Sequence, residues 1–345
     1  MASSGTSESS YVDATSFMTC TNLDRVDAAT ITPLEFYRTY VAASRPCIIE
    51  GAFDHWPANK LWNDDADSIV RKCGPERLVT CNFTPNGYGD HVYKGVVFVK
   101  PEERKIEFGD VWDRLKRRTK VEEGIPYLSF QNDCLRQEFP CLKEDVDVRG
   151  LLFANEVFGD ETDLEAVNLW IGDERSISSV HKDPFENIYC VVRGTKTFVL
   201  LPPTDIRFMD EKAYPSAYYK RRADVGNGSH FDVVVEPGVI VPWIDVDPGA
   251  PDLAQCPQFI HASPLHVEVS AGETLFLPAL WYHRVSSKNG MTIAVNYWYE
   301  MKFGPLYTAY QLARELSRLK PEHEYDESDL TDEQRKWLDQ HVSKE

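Results

Sequence analysis

The chain has 345 residues, room for one large domain or two average ones, and its 42% hydrophobic and 27% charged residues are ordinary for a globular protein. Lys plus Arg is 37 against 55 for Asp plus Glu, a net charge of −18; this argues against nucleic acid, whose binding rests on neutralising phosphates, and suits a basic protein partner. The eight cysteines (Cys20, Cys47, Cys73, Cys81, Cys134, Cys141, Cys190, Cys256) form no C-x-x-C pair, which disfavours a zinc ribbon or finger.

The Ser-rich start MASSGTSESS lacks the marks of a secretion signal, and no apolar run is long enough for a membrane span. Free thiols in a reducing compartment are expected, hence a cytoplasmic protein with nuclear access left open. Residues 1–30 are polar and read as a flexible segment. In TPLEFYRTYV, Thr32 and Glu35 make a capping box, Pro33 takes the first helical position, and the spacing predicts a helix over 33–42. RPCIIEGAF, VTCNFTPNGYG, VVFVKP and IPYLSFQN read as strands and FGDVWDRLKRRT as an amphipathic helix. Residues 31–165 are therefore expected to form an α/β covering layer.

From 166 to 300 eight short β-rich runs follow one another: AVNLWIG, SSVHKD, NIYCVVRG, KTFVLLPP, HVEVS, TLFLPA, WYHRVSS and TIAVNYWY. Such spacing predicts a jelly roll or barrel. An insert over 204–262, rich in Tyr, Pro and Asp and weakly periodic, reads as a functional loop. Residues 301–345 return to helix: Leu306, Tyr310, Ala313 and Leu316 line one face, an acidic linker follows, and Thr331 with Gln334 caps a last segment. A closed barrel leaves that face no sheet to cover, so a homodimer contact is expected there.

The chemistry concentrates in SSVHKDPFENIYCVVRGTK. His181 and Asp183 are two apart, so on a strand both reach one side. One H-x-D is weak by itself, because a strand histidine is usually structural. His283, in a second strand context, completes two imidazoles and one carboxylate, the ligand set of non-haem Fe(II) oxygenases. Lys196 alternates in phase with Phe198 and Leu200, so it turns inward if they do. A buried ammonium needs an anion, which a dicarboxylic co-substrate would supply; the alternative is a lysine that snorkels from a strand end. Ser178, Asn187, Tyr189 and Tyr127 are placed to hydrogen-bond such a carboxylate.

These features, with GETLFLPALWYHRV and IAVNYWYE, resemble a jumonji-C domain of the small hydroxylase type, and RPCIIEGAFDHWPA resembles the entry segment of that group. In PLEFYR, HKDPFENIYCVVRGTKTF and DPGAPDLA the chain is similar to the jumonji lysyl hydroxylases that modify developmentally regulated GTP-binding proteins. The resemblance implies a double-stranded β-helix (jelly-roll, cupin-like) core with an N-terminal α/β layer and C-terminal helices. It implies iron on His181, Asp183 and His283, and 2-oxoglutarate on Tyr127, Ser178, Asn187 and Lys196. Ser178 departs mildly, since Thr is common there. The implied reaction consumes 2-oxoglutarate and O2, releases succinate and CO2, and hydroxylates a lysine in a basic, translation-factor-type GTPase. That lysine would pass acids, for which the insert offers Asp245, Asp247 and Asp252. Two rivals stay open: a histone lysine demethylase of the same superfamily, though zinc-bound cysteine clusters are absent and H-x-D replaces the frequent H-x-E, and a non-catalytic cupin-like binding protein.

Overall fold

The computed structural model describes residues 22–118, 120, 123–159, 162–222, 231–318 and 330–341. Of the segment expected to be flexible, residues 1–21 lie outside this set, whereas Asp24–Asp27 form strand β1, paired in parallel with β2 (Cys47–Glu50). Between them helix α1 (Pro33–Phe36) runs on into a wider π turn (Tyr37–Val41), filling the helix expected at 33–42. Thr32 Oγ1 accepts the Glu35 amide at 3.2 Å, as the capping box requires. The covering layer continues through β3 (Leu78–Thr84), β4 (His91–Tyr93), β5 (Val97–Lys100), β6 (Glu102–Glu107), α2 (Phe108–Arg117) and β7 (Ile125–Tyr127). One small sheet runs β6-β3-β7.

All eight expected β runs are strands, but the third and fourth fuse into β10 (Phe185–Leu201), after β8 (Leu164–Gly172) and β9 (Ile177–His181). The insert supplies β11 (Glu211–Arg221) and β12 (Phe231–Ile244), and β13 (Leu265–Ser270) and β14 (Glu273–Leu277) follow. The seventh and eighth runs fuse into β15 (Tyr282–Glu300). The β10–β15 ladder shifts register twice between Val191 and Thr195. Gly194 sits in that bend at φ +78°, where a Cβ would meet Thr292 Cγ2 at 2.8 Å, so only glycine fits without displacement.

The bend lets each long strand serve two layers. Before it β10 pairs with β14, after it with β13; β15 pairs with β9 first and β8 later. Two layers result, β13-β10-β15-β9 and β14-β10-β15-β8, the second extended by β2 and β1, which together are the jelly-roll core expected from the sequence. Alternation then sorts β10: Tyr189, Val191, Phe198 and Leu200 pack inside, while Ile188, Cys190 and Val192 pack outward with Phe36 and Phe108 of the cover.

Two expectations need correction. The insert is no irregular loop: β11 and β12 form an antiparallel hairpin whose β11 adds in parallel to β5, in the order β12-β11-β5-β4. Its periodicity was hidden by Pro215, which sits at the register shift of the hairpin, and by Pro237 and Pro242 in the edge strand β12; prolines are tolerated in sheets at such places. Helix α3 (Pro305–Arg318) does find an intramolecular partner. Tyr310 is buried, with Tyr307 and Ala313 beside it, against Leu201, Ile206 and Met209 around the turn after β10. Only Leu316 of the expected apolar face is exposed, joined by Leu312 and Phe303. Helix α4 (Asp332–His341) begins at the second capping box, where Thr331 and Gln334 exchange bonds of 2.9 and 3.2 Å. Residues 321–329 of the acidic linker lie outside the described residues. No helix among the described residues is long and apolar enough to cross a membrane.

Candidate metal and co-substrate site

His181 ends β9 and Asp183 follows in the link to β10, so the pair straddles a strand end. The Asp183 carbonyl accepts the Leu280 amide at 2.9 Å, tying this link to the turn before β15. Leu280 there adopts φ +68°, uncommon for a residue with a side chain, and brings the chain round so that His283 enters β15 directly opposite His181. The imidazole centroids are 4.2 Å apart. Asp183 Oδ2 lies 3.5 Å from His283 Nε2 and 3.8 Å from His181 Nε2. One ligand atom from each residue falls within 4.8 Å of the others, close enough to share an ion.

Each ring is oriented through its other nitrogen. Nδ1 of His181 lies 2.7 Å from the Ser179 carbonyl, and Nδ1 of His283 lies 3.0 Å from the Trp281 carbonyl. A carbonyl can only accept, so Nδ1 carries the proton and Nε2 turns a lone pair to the centre. Burial, reinforced by His283, holds the His181 pKa down to about 4, which keeps the ring neutral. Burial works to raise the Asp183 carboxyl, but the two histidines outweigh it and leave it below its ordinary value. Two neutral imidazoles and one carboxylate fit Fe(II) with positions left open.

A recess runs from this centre into the barrel, lined by Tyr127, Ser178, Asn187 and Tyr189 together with Trp170 and Asn296. Ser178 and His181, three residues apart, share it because β9 slips by one residue against β15 between His283 and Val285, a bulge that re-aims side chains. Lys196 is fully buried, as its phase with Phe198 and Leu200 requires. Its Nζ lies 3.5 Å from the Tyr127 hydroxyl and 5.2 Å from that ring's centroid. The recess is drawn in to about 20 Å³ and is lined by Tyr127 but not by Lys196, so a dicarboxylate reaching this ammonium would have to displace intervening side chains, Tyr127 among them.

A larger cavity of about 790 Å³ opens over His181 and Asp183, walled by Asp90 and Glu102 of the cover and by Tyr219, Glu236 and Trp243 of the insert hairpin. Asp245, Asp247 and Asp252 do not line it. Asp247 is held by Arg284 at 2.6 Å, Asp245 by Gln255, and Asp252 caps its own turn by accepting the Ala254 amide at 2.9 Å. Of the acids that composition had nominated, Asp252 is spent on its own turn and the other two on side chains further along the chain.

Sequence reasoning missed Asn296, Trp170, Trp243 and Asp90. Asn296 was findable, as a lone amide in phase with Ala294 and Trp298 in an apolar strand. It donates to Asn187 Oδ1 at 3.0 Å and accepts Trp170 Nε1 at 2.8 Å, which fixes the amide of Asn187. Asp90 and Trp243 carry no local signal, because packing of cover and insert brings them to the site.

Comparison with known proteins agrees with this geometry. Residues 33–305 match the cupin-like domain family. The chain is 40% identical over 288 residues to human "Bifunctional peptidase and (3S)-lysyl hydroxylase JMJD7", covering 83% of this chain and 87% of that protein. It is 35% identical over 331 residues to "JmjC domain-containing protein E" of Dictyostelium discoideum, covering 89% and 92%. To "Lysine-specific demethylase JMJ32" of Arabidopsis thaliana it is 38% identical over 309 residues, covering 86% and 87%. The chain belongs to the cupin-like JmjC-domain family, whose enzymes are 2-oxoglutarate-dependent dioxygenases.

Proposed function

We propose that the chain is an Fe(II)- and 2-oxoglutarate-dependent protein hydroxylase acting on a carbon of a lysyl side chain. The observation that carries the co-substrate is Lys196. Burial lowers its pKa to about 7, and among the described residues no carboxylate pairs with it; Asp173, which acts on it through space, is engaged by Arg175 at 3.0 Å. The far carboxylate of 2-oxoglutarate would satisfy this ammonium. The Tyr189 hydroxyl, buried in the recess without a partner among the described residues, and Tyr127, Ser178 and Asn187 add donors for the same ligand.

His181, Asp183 and His283 would hold the iron, which with 2-oxoglutarate and O2 supplies the oxidation and leaves succinate and CO2. The protein places the reactants. Asn187, fixed by Asn296, keeps its NH2 group free to donate, and the Trp243 ring, parallel to His181 within 7° at 6.5 Å, shields that flank from water.

A lysyl substrate is supported by the name of the human relative, by the −18 charge and by the acids of the outer cavity. We infer a basic partner of the developmentally regulated GTP-binding class from the resemblance in PLEFYR, HKDPFENIYCVVRGTKTF and DPGAPDLA. The seven described cysteines are free, which fits a cytoplasmic setting. A homodimer through the exposed Phe303, Leu312 and Leu316 is the matching oligomeric proposal, to be read by light scattering. The deciding assay incubates the protein with Fe(II), 2-oxoglutarate and GTPase peptides or matched Lys→Arg peptides. One oxygen gained on lysine is expected. Methyl loss from methylated lysine peptides would favour a demethylase, the activity named for the plant relative. Absence of succinate from all of them would leave a binding protein.

A further inference from the structure

We infer that Asp90 receives the ammonium of the substrate lysine, with Trp243 as the apolar wall beside it; this rests on the lysyl reading above. Asp90 lies in the turn between β3 and β4 and lines the cavity that opens over His181 and Asp183. Each of the other shielded carboxylates of that cavity has a partner. Asp183 faces the two histidines, Glu236 is bonded by Lys100 at 2.7 Å and by Ser216 at 2.5 Å, and Glu102 accepts the Arg221 amide at 3.0 Å through Oε1, its buried Oε2 having no partner among the described residues. Glu103 is exposed at the rim. Among the described residues no hydrogen bond or ion pair reaches the carboxylate of Asp90. Lys100 is near enough to act on it through space, yet its ammonium is bonded to Glu236.

An unpaired carboxylate partly screened from water, as that of half-buried Asp90 is, is stabilised by an arriving cation. Burial pushes the Asp90 pKa up to about 6, the direction expected of a carboxylate lacking its counter-charge. The position is anchored. The Ser179 hydroxyl donates to the Asp90 carbonyl and accepts from Trp243 Nε1 at 3.3 Å, and Ser179 stands two residues before His181 on β9. One hydroxyl thus joins the backbone of Asp90, the indole and the strand that carries His181. A side chain entering the cavity meets an indole face suited to methylenes and a carboxylate suited to an ammonium.

The test uses a lysyl peptide oxidised in the assay above and its counterpart with norleucine at that lysine. Binding of each is measured by fluorescence anisotropy, without O2, to full-length protein loaded with manganese and 2-oxoglutarate. The unaltered protein is expected to prefer the lysyl peptide by about 10- to 100-fold, the range of a charge-assisted hydrogen bond. Asp90→Asn should remove that preference and Asp90→Glu should restore part of it. A preference undiminished in Asp90→Asn overturns the assignment, as does an equal loss of affinity for both peptides, which marks a purely structural role. If the unaltered protein oxidises no lysyl peptide, the lysyl reading falls and takes this assignment with it; oxidised lysine with the ratio intact in Asp90→Asn removes Asp90 alone.

Discussion

Inside the barrel, Lys196 and Asn296 are fully buried and Asn187 and His283 are 4% exposed, each at a strand position whose face follows from two-residue alternation. In the outer cavity the charges are wetter and mostly matched with one another: Lys100 and Glu236 meet at 2.7 Å with side chains 42% and 29% exposed. In the barrel an uncompensated charge is costly and creates a demand for a ligand of opposite sign. In the cavity, Asp90 apart, water screens the charges, so they steer and select rather than store energy. Chemistry and partner choice therefore sit on separate layers, the barrel on one side and the cover with the insert hairpin on the other.

That division can be broken at graded cost. Replacing His181, Asp183 or His283 by alanine is expected to lower 2-oxoglutarate turnover more than about 100-fold, beyond the 10- to 100-fold typical of partners behind the ligands. Iron content should fall while the circular dichroism spectrum holds, since the three residues line a cavity rather than fill the core. Full turnover in any one variant would remove that residue from the centre.

Lys196→Met should weaken 2-oxoglutarate binding by roughly 10- to 150-fold, measured by calorimetry on manganese-loaded protein. The same change should stabilise the protein without co-substrate by about 1–4 kcal/mol, as when buried charges give way to apolar packing. The sign follows from the depressed pKa. Between about 7 in the folded chain and the ordinary value of 10.5, the unfolded state binds the extra proton, so the unaltered protein gains stability as pH rises through that window. The advantage of Lys196→Met in melting temperature should be largest below pH 7 and shrink above it. A variant that binds 2-oxoglutarate normally would refute the role of this lysine.

The same lysine predicts a smaller, graded effect of pH on binding. Its ammonium is intact below about pH 7 and is progressively lost above it, so 2-oxoglutarate affinity should decline above neutrality by at most about tenfold per pH unit. An affinity flat to pH 9 would mean that the ammonium does not meet the ligand. The smallest change is expected outside the barrel: Glu236→Gln removes the charge of a partly exposed pair with Lys100 while its amide oxygen can still accept from Ser216, and should shift stability by less than about 1 kcal/mol. A larger loss on chemical denaturation would show that the cavity wall is as tightly coupled as the barrel.

What the sequence determined by itself was everything that depends on residues near one another along the chain. Two-residue periodicity located all eight barrel runs and turned Lys196 inward with Phe198 and Leu200; spacing alone nominated His181 and Asp183; and both capping boxes formed as their residue types require. Tertiary structure decided what depends on distant segments. It bent β10 and β15 so that each serves two layers, slipped β9 by a residue so that Ser178 and His181 share a recess, and set His283 opposite His181. It also replaced Asp245, Asp247 and Asp252 by Asp90 at the cavity wall. The physical reason is that short-range bonds are written in neighbouring residues, as in the Asp252 turn. A cavity, in contrast, is made by whichever surfaces the packing of cover, hairpin and barrel leaves facing one another.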